Sequence, residues 1–131
     1  MLVIDAGASE SLRVGAPVFL PEGPLLGAVS EVFSSTAKVL LLSAPGEKIN
    51  AVLERHDVAV VLEGVGGGNF KIILPRETAV EVGDRILSAD LSASLVAIVG
   101  EVVSEPTDSF KEVLARSPAN IFSIRFVIVR P

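Results

Sequence analysis

The sequence predicts an all-β protein made of two small, similar β-barrels, and two observations lead to that prediction. Short runs rich in Val, Leu and Ile recur along the chain, separated by clusters containing Gly or Pro: PEG, SAPG, GVGGG and EPTD. Three short patterns also occur twice in the same order. Regular short strands with Gly/Pro turns are typical of barrels and sandwiches, and the repeated order indicates that one β unit has been duplicated.

The predicted strands follow the apolar runs in chain order. They are residues 2–4, 17–20, 25–33, 37–43, 57–63, 70–74, 84–88, 95–103 and 126–129. Two further segments, 49–55 and 109–116, carry apolar residues at helical spacing, and Asp108 could cap the second as a helix.

The internal repeat decides in favour of a strand for the second of these segments. VGAPV at 14–18 matches VGDRI at 82–86, LGAVSEV at 26–32 matches VGEVVSE at 99–105, and AKVLLLSAP at 37–45 matches KEVLARSPA at 111–119. Residues 37–43 have β-branched and leucine side chains on both faces and no helix cap, so their equivalents are also predicted to form a strand. The repeat places the first barrel at 1–63 and the second at 64–131, with the C-terminal strand able to pack back on the first.

The glycine-rich stretch EGVGGGNF at 63–70 raises the question of a phosphate-binding loop. A P-loop ends in Gly-Lys-Ser/Thr, but here Gly68 is followed by Asn69. A dinucleotide loop opens a helix, whereas FKIIL reads as a strand. The stretch is therefore predicted to be a turn between strands, and its position between the two copies makes it the predicted connection between the two barrels.

Two of the predicted strands, 37–43 and 57–63, are apolar on both faces. A strand of this kind is expected to be buried on both sides. We therefore expect both strands to lie where the two β units pack together.

Composition excludes several classes of function. The net charge is −5 and no basic cluster is present, which argues against nucleic acid as a partner. The chain has no Cys, so disulfides, thiolate metal sites and a cysteine nucleophile are excluded. No apolar run approaches the ~20 residues needed to cross a bilayer as a helix.

A pair of small barrels is also the frame of one class of serine proteases, whose chemistry requires a catalytic triad. The single histidine is His56, and the adjacent Asp57 would point to the opposite face of a strand. His56 is therefore interpreted as an exposed turn residue. No metal-binding spacing occurs either, and the sequence predicts no catalytic residue, no cofactor and no metal site.

The order of several segments resembles the extracytoplasmic domain of the MreC family of bacterial rod-shape-determining proteins, over nearly the whole chain. The matching pieces are IDAGASESLRVG at 4–15, LGAVSEV at 26–32, KVLLLS at 38–43, VLEG at 61–64, LP at 74–75, VEVGDRILS at 80–88, VGEVVS at 99–104 and RSPANIFSIRFVIV at 116–129. No single piece is specific, whereas their order and spacing together are.

The resemblance implies a non-catalytic scaffold of the cell-elongation machinery, located outside the cytoplasm. It implies self-association into dimers or higher arrays and binding to the peptidoglycan (penicillin-binding) transpeptidase and other membrane proteins of that machinery. It also implies a membrane anchor and coiled coil ahead of this domain in the full-length protein. The alternative is an enzyme or small-ligand-binding module on the same double-barrel frame.

The segment LSASLVAIVG at 91–100 carries no charge and is the insertion in the second repeat. As a regular strand it would direct Val96 and Ile98 to one face, and Leu95 with Ala97 and Val99 to the other. Only one face can fill its own barrel, and exposed apolar patches mark interaction sites. The predicted partner-binding residues are Leu91, Leu95, Val96 and Ile98, with burial against the first β unit as the alternative.

Overall fold

The computed structural model describes residues 2–8, 11–90, 93–118, 124 and 126–130. These residues form an all-β fold, with a 3-10 turn at Glu54–His56. The strands are β1 (Leu2–Ile4), β2 (Pro17–Phe19), β3 (Leu25–Val32), β4 (Ala37–Leu41), β5 (Lys48–Leu53), β6 (Val58–Gly66), β7 (Asn69–Pro75), β8 (Arg85–Ser88), β9 (Leu95–Val103), β10 (Phe110–Arg116) and β11 (Ile128–Val129).

The strands form two β units, which confirms the predicted all-β class. One unit is a closed barrel of six strands in the order β10-β7-β6-β5-β8-β9, and the other is a five-stranded sheet in the order β1-β4-β3-β2-β11. Within the described residues, all ten strand pairings are antiparallel. Within the described residues, therefore, one predicted barrel is closed and the other is an open sheet.

Alternating side chains explain why these segments are strands. Along β6, Val60 and Leu62 are buried whereas Val61 is exposed, and along β7 the buried residues Phe70 and Ile72 likewise alternate with outward ones. Because strand side chains point alternately to opposite faces, this period of two fills the barrel interior with aliphatic groups. A second apolar core lies on the five-stranded sheet around Val18, Val29 and Val39.

Equivalent turns in the two units confirm the internal repeat. Gly15 N–H donates to the Val29 carbonyl oxygen at 2.8 Å, and Gly83 N–H donates to the Val99 carbonyl oxygen at 2.8 Å. In return, Val29 N–H donates to the Ala16 carbonyl oxygen and Val99 N–H donates to the Asp84 carbonyl oxygen, both at 2.9 Å. Gly15 and Gly83 also have matching positive φ angles of 91° and 92°. The same turn therefore introduces β2 in one unit and β8 in the other.

The residue correspondence within the repeat differs from the sequence match. The turn bonds equate Val29 with Val99, whereas the sequence patterns aligned Gly27 with Gly100. A Cβ on Gly27 would lie 2.2 Å from the Leu40 carbonyl oxygen, but on Gly100 the nearest contact would be an ordinary 3.7 Å. The two glycines thus have different structural roles, and their pattern match was wrong.

The division between the sheets differs from the boundary expected at residues 63 and 64. That position lies inside β6, and both β5 and β6 hydrogen-bond within the barrel rather than within the first sheet. The chain passes from one unit to the other between Leu41 and Lys48. Strand β11 does return to the first sheet, where it pairs with β2.

The glycine-rich stretch is a hairpin inside the barrel, so its prediction as the connection between units was wrong. Gly67 and Gly68 join β6 to β7, and both have positive φ, at 65° and 82°. Positive φ at both central residues is the requirement of the tight turn that matches strand twist. The prediction that this stretch is a turn between strands was correct.

The two segments with helical spacing are both mainly strands. Residues 48–53 pair with β6 and β8, and residues 110–116 pair with β7 and β9. The choice of a strand for the second segment is thus confirmed. Each segment has a hydrogen-bonded strand on both sides, and this pairing outweighs the helical spacing of its apolar residues.

Candidate partner-binding surface

The four predicted partner-binding residues have three different positions. Leu91 lies outside the described residues. Val96 is 1% exposed and belongs to the barrel core, whereas Leu95 and Ile98 are half-buried. Direct contact with a partner is therefore available to Leu95 and Ile98 but not to Val96 in this fold.

A β-bulge explains why Val96 does not share the environment of Ile98. Ile86 lies opposite Ala97, and the next residue, Leu87, lies opposite Leu95, so Val96 is the extra residue. Val96 and Ala97 are both buried, at 1% and 0% exposure. The regular alternation assumed from the sequence fails at this point because a bulge places two residues opposite one.

The residues on the two sides of the loop that leads into β9 are joined through Ser88, which is itself buried. Ser88 Oγ donates to Asp90 Oδ1 at 2.9 Å and accepts from Ser94 N–H at 3.0 Å, and Ser88 N–H donates to the Ser94 carbonyl oxygen at 2.8 Å. These bonds hold the two ends of the loop together, so Leu95 begins β9 at a defined position.

Leu95 begins a row of outward apolar residues across four adjacent barrel strands. It lies opposite Leu87, Leu87 lies opposite Val52, and Val52 lies opposite Ala59. Directly paired residues project from the same side of a sheet. The core residues adjacent to them in sequence point inward, so this row faces away from the core.

Exposed aliphatic residues continue this surface on β6 and β7. Val61 is 52% exposed and Ile73 is 55% exposed, and both line a groove of about 500 Å³ on the outside of the barrel. Lys48, Glu63 and Lys71 also line it, with Lys71 Nζ 3.9 Å from Glu63 Oε2. We call the surface formed by Leu95, Leu87, Val52, Ala59, Val61 and Ile73 the outer barrel face.

The exposure of Val61 corrects the expectation for 57–63. That strand was expected to be buried on both faces, but Ala59 and Val61 are exposed. For 37–43, Leu42 packs against the barrel core but lies beyond the end of β4, and Lys38 and Leu40 are half-buried, so the burial expected for both faces is only partial. The aliphatic Val61 at an outward strand position was the sequence signal for the outer barrel face. In the sequence analysis it was interpreted instead as a sign that the strand lies between the two units.

A second groove, of about 400 Å³, lies beside the junction of the two units. It is lined by Leu25, Leu42 and Ile49, and it shares Asn50 and Ala89 with the groove on the outer barrel face. The two grooves therefore meet at Asn50 and Ala89. Together they give the molecule a surface of aliphatic residues interspersed with polar and charged ones.

The charged groups of the barrel form structural pairs. Arg55 Nη2 donates to Asp84 Oδ2 at 3.0 Å, and Glu81 N–H donates to the same oxygen at 2.8 Å. The hydrogen bond to Asp84, with the nearby charge of Glu81, raises the pKa of the Arg55 guanidinium. His56 and Asp57 are exposed on the adjoining turn. Among residues 2–8, 11–90, 93–118, 124 and 126–130, no group of three or more His, Cys, Asp or Glu is placed to hold a metal.

No helix in the described part of the chain has the length and apolar character required to span a membrane.

Comparison with known proteins identifies the family. The model of the family "Rod shape-determining protein MreC, barrel core" matches residues 1–131. The chain belongs to the MreC family. A crystal structure of MreC from Pseudomonas aeruginosa superposes with a TM-score of 0.87 and 27% identity, covering 98% of this chain and 86% of that one.

Two curated MreC proteins are similar in sequence. The cell shape-determining protein MreC of Haemophilus influenzae is 28% identical over 135 residues, which cover 98% of this chain and 38% of that protein. The protein of the same name from Caulobacter vibrioides is 33% identical over 86 residues, 65% of this chain and 25% of that protein. The chain thus spans less than two thirds of the length of the curated MreC relatives. These MreC relatives are named for cell shape, and the family is structural rather than enzymatic.

Proposed function

We propose that the chain is a non-catalytic scaffold of the cell-elongation machinery. In this proposal it acts outside the cytoplasm, self-associates, and binds the peptidoglycan transpeptidase and other membrane proteins of that machinery. Membership of the MreC family supports the general role in cell shape. The self-association, the named partners and the location are part of the proposal.

The observation that carries the proposal is the outer barrel face. Val61 and Ile73 expose about half of their surface on regular strands of a closed barrel, where an outward residue of a monomer would normally be polar. Grouped exposed aliphatic residues are characteristic of interaction sites. Leu95 and Ile98 remain proposed contacts, since both are outward and half-buried.

Replacement of Val61 or Ile73 by Glu tests the proposal. Both side chains point outward, so each variant is expected to fold and to bind or self-associate more weakly, because a carboxylate would be desolvated at the interface. Val14→Glu is the matched control, since Val14 is 68% exposed but lies in a turn of the other unit.

The measurements are sedimentation velocity for self-association and titration with the purified elongation transpeptidase. Circular dichroism checks that each variant is folded. Unchanged association and unchanged transpeptidase binding in folded Val61→Glu and Ile73→Glu proteins would remove the outer barrel face from the proposal. Broad peptidase and esterase assays address the alternative of an enzyme, and activity that is lost in His56→Ala would favour that alternative.

A further inference from the structure

The chain passes from the sheet to the barrel between β4 and β5, and this short connection consists of two consecutive turns. Ala44 N–H donates to the Leu41 carbonyl oxygen at 3.1 Å, and Glu47 N–H donates to the Ala44 carbonyl oxygen at 3.1 Å. Pro45 and Gly46 are the central residues of the second turn, and Gly46 has a φ of 85°. Proline followed by a residue with positive φ is typical of a type II turn. A connection folded into two turns has little slack.

The same connection, residues 42–47, is fastened to β6. Gly46 N–H donates to the Gly64 carbonyl oxygen at 3.0 Å, and Gly66 N–H donates to the Ser43 carbonyl oxygen at 2.7 Å. A Cβ on Gly64 would lie within 2.8 Å of backbone atoms of the connection, so this close approach requires glycine. We call residues 42–47 the corner.

The corner is also attached to the sheet. Leu42 N–H donates to the Leu26 carbonyl oxygen at 3.1 Å. Leu25, at the start of β3, and Leu42 are half-buried, and both pack against the core of the barrel. The corner is therefore hydrogen-bonded to the sheet on one side and to the barrel on the other, with apolar contacts across the junction.

The backbone of the corner leaves little room for a hinge. Domains joined by a linker move relative to each other unless their interface is firm, and hinges are loop residues that absorb large changes of φ and ψ. Pro45 has no N–H and a fixed φ. Four other residues of the corner donate backbone hydrogen bonds through their N–H groups: Leu42, Ala44, Gly46 and Glu47. A change of angle between the units would have to break several of these bonds together.

We infer that the corner holds the two units as one rigid body at a single relative angle. The groove lined by Leu25, Leu42 and Ile49 has walls from both units, so a fixed angle gives this groove one shape. Surfaces on the sheet and on the barrel are then presented to a partner in a preformed arrangement, and binding does not have to order the junction first. Only this last consequence rests on the proposed scaffold function.

Double electron–electron resonance between two spin labels tests the fixed angle directly. The chain contains no Cys, so labels attach only at introduced positions. Val14→Cys with Val82→Cys places one label in each unit, at exposed residues of the equivalent turns. His56→Cys with Asn69→Cys places both labels on the barrel, at opposite ends of β6, whose length separates them by about 30 Å. Dilution with unlabelled protein removes the distances between molecules.

The width of each distance distribution reports how far the labelled positions move relative to each other. The distribution between the units is expected to be as narrow as the distribution within the barrel. A distribution between the units that is at least about twofold broader would show a hinge at the junction and overturn the inference. This comparison uses the intact corner, so it does not depend on whether any variant of the corner folds.

Lengthening the corner locates the effect. Insertion of two glycines between Pro45 and Gly46 is expected to broaden the distribution between the units at least about twofold, because glycine-rich chain is flexible and the turn is lost. The matched control is the same insertion between Thr107 and Asp108, in the exposed turn between β9 and β10, which is expected to leave the distribution narrow. Circular dichroism checks that both proteins are folded. A folded corner insertion with an unchanged, narrow distribution would show that the corner does not set the angle, and the inference would fail.

Discussion

Gly64 lies against the backbone of Ala44, so close that a Cβ on Gly64 would be 2.3 Å from the Ala44 carbonyl oxygen. The segment between the two units runs along β6 at this point. Gly64 N–H donates to the Glu47 carbonyl oxygen at 2.7 Å, and Gly66 N–H donates to the Ser43 carbonyl oxygen at 2.7 Å. The glycines of β6 thus attach the connection between the units to the barrel, in addition to forming the hairpin that follows.

Gly64→Ala is expected to lower the free energy of unfolding by about 1–3 kcal/mol, the usual range for overpacking a close contact. The atoms that the new Cβ would contact belong to the backbone of Ala44, and backbone atoms of Leu42 and Ser43 would also lie within 2.8 Å of it. A side-chain rotation therefore cannot relieve the clash. Gly100→Ala is the matched control, because its Cβ would meet nothing closer than 3.7 Å. Urea unfolding measures both, and equal midpoints for the two variants would contradict the close packing of Gly64.

Gly15→Ala and Gly83→Ala are expected to destabilise the protein by similar amounts, about 1–2 kcal/mol each. Both glycines have positive φ, and a Cβ at either position would meet no atom within 4 Å, so the cost is confined to the backbone conformation. Asn tolerates this conformation better than Ala, so Gly15→Asn and Gly83→Asn are expected to restore part of the loss. Thermal melts of the four variants test the structural equivalence of the two turns, which a large effect at only one position would refute.

The repeat was visible in the sequence because these turns need the same residue for the same physical reason. Gly15 and Gly83 both follow Val and both lead into a strand, β2 or β8. The positive φ at this turn requires glycine in both units, so the match is visible even where the other residues of the two units differ. The limits of the units were not visible. Strands β5 and β6 precede Gly83 and β1 precedes Gly15, but a sequence pattern does not say which sheet a strand joins.

The site was predicted only in part, for a different physical reason. The uncharged segment around Leu95 was interpreted as more apolar than one barrel needs, but the bulge that buries Val96 depends on its pairing with β8. Val61 and Ile73 were missed as a surface because an apolar residue on a strand gives the same signal whether it is covered by the other unit or exposed. Only the closed barrel shows that these residues point outward.

Asp84→Ala is expected to destabilise the barrel more than Arg55→Gln. One oxygen of Asp84 accepts both the Glu81 N–H and the Arg55 guanidinium, and the Asp84 side chain is only 11% exposed, whereas the Arg55 side chain is 40% exposed. Loss of the acceptor leaves a turn N–H without its partner and costs about 1–3 kcal/mol, while an exposed ion pair contributes little. Denaturant midpoints of the two variants compare these effects, and an equal or larger loss in Arg55→Gln would show that the ion pair rather than the turn is stabilising.

The neighbouring residues Leu95 and Val96 are expected to respond in opposite ways to the same substitution. Val96→Asp places an unpaired carboxylate in the barrel core, which would cost several kcal/mol and is expected to unfold a domain of this size at ordinary temperature. Leu95→Asp changes an outward, half-buried residue of the outer barrel face, so the folded state is expected to survive with a modest loss of stability. Ile98→Asp, also outward, is expected to behave like Leu95→Asp.

Circular dichroism melts measure folding of the three variants, and sedimentation velocity with transpeptidase titration measures association. The expected result is an early melt for Val96→Asp alone and weaker association for folded Leu95→Asp. If Leu95→Asp melts as early as Val96→Asp, both side chains contribute to the core, and the bulge does not give the two residues different environments. If Leu95→Asp is folded and associates normally, the outer barrel face does not extend to β9, and partners would have to bind through Val61 and Ile73 alone.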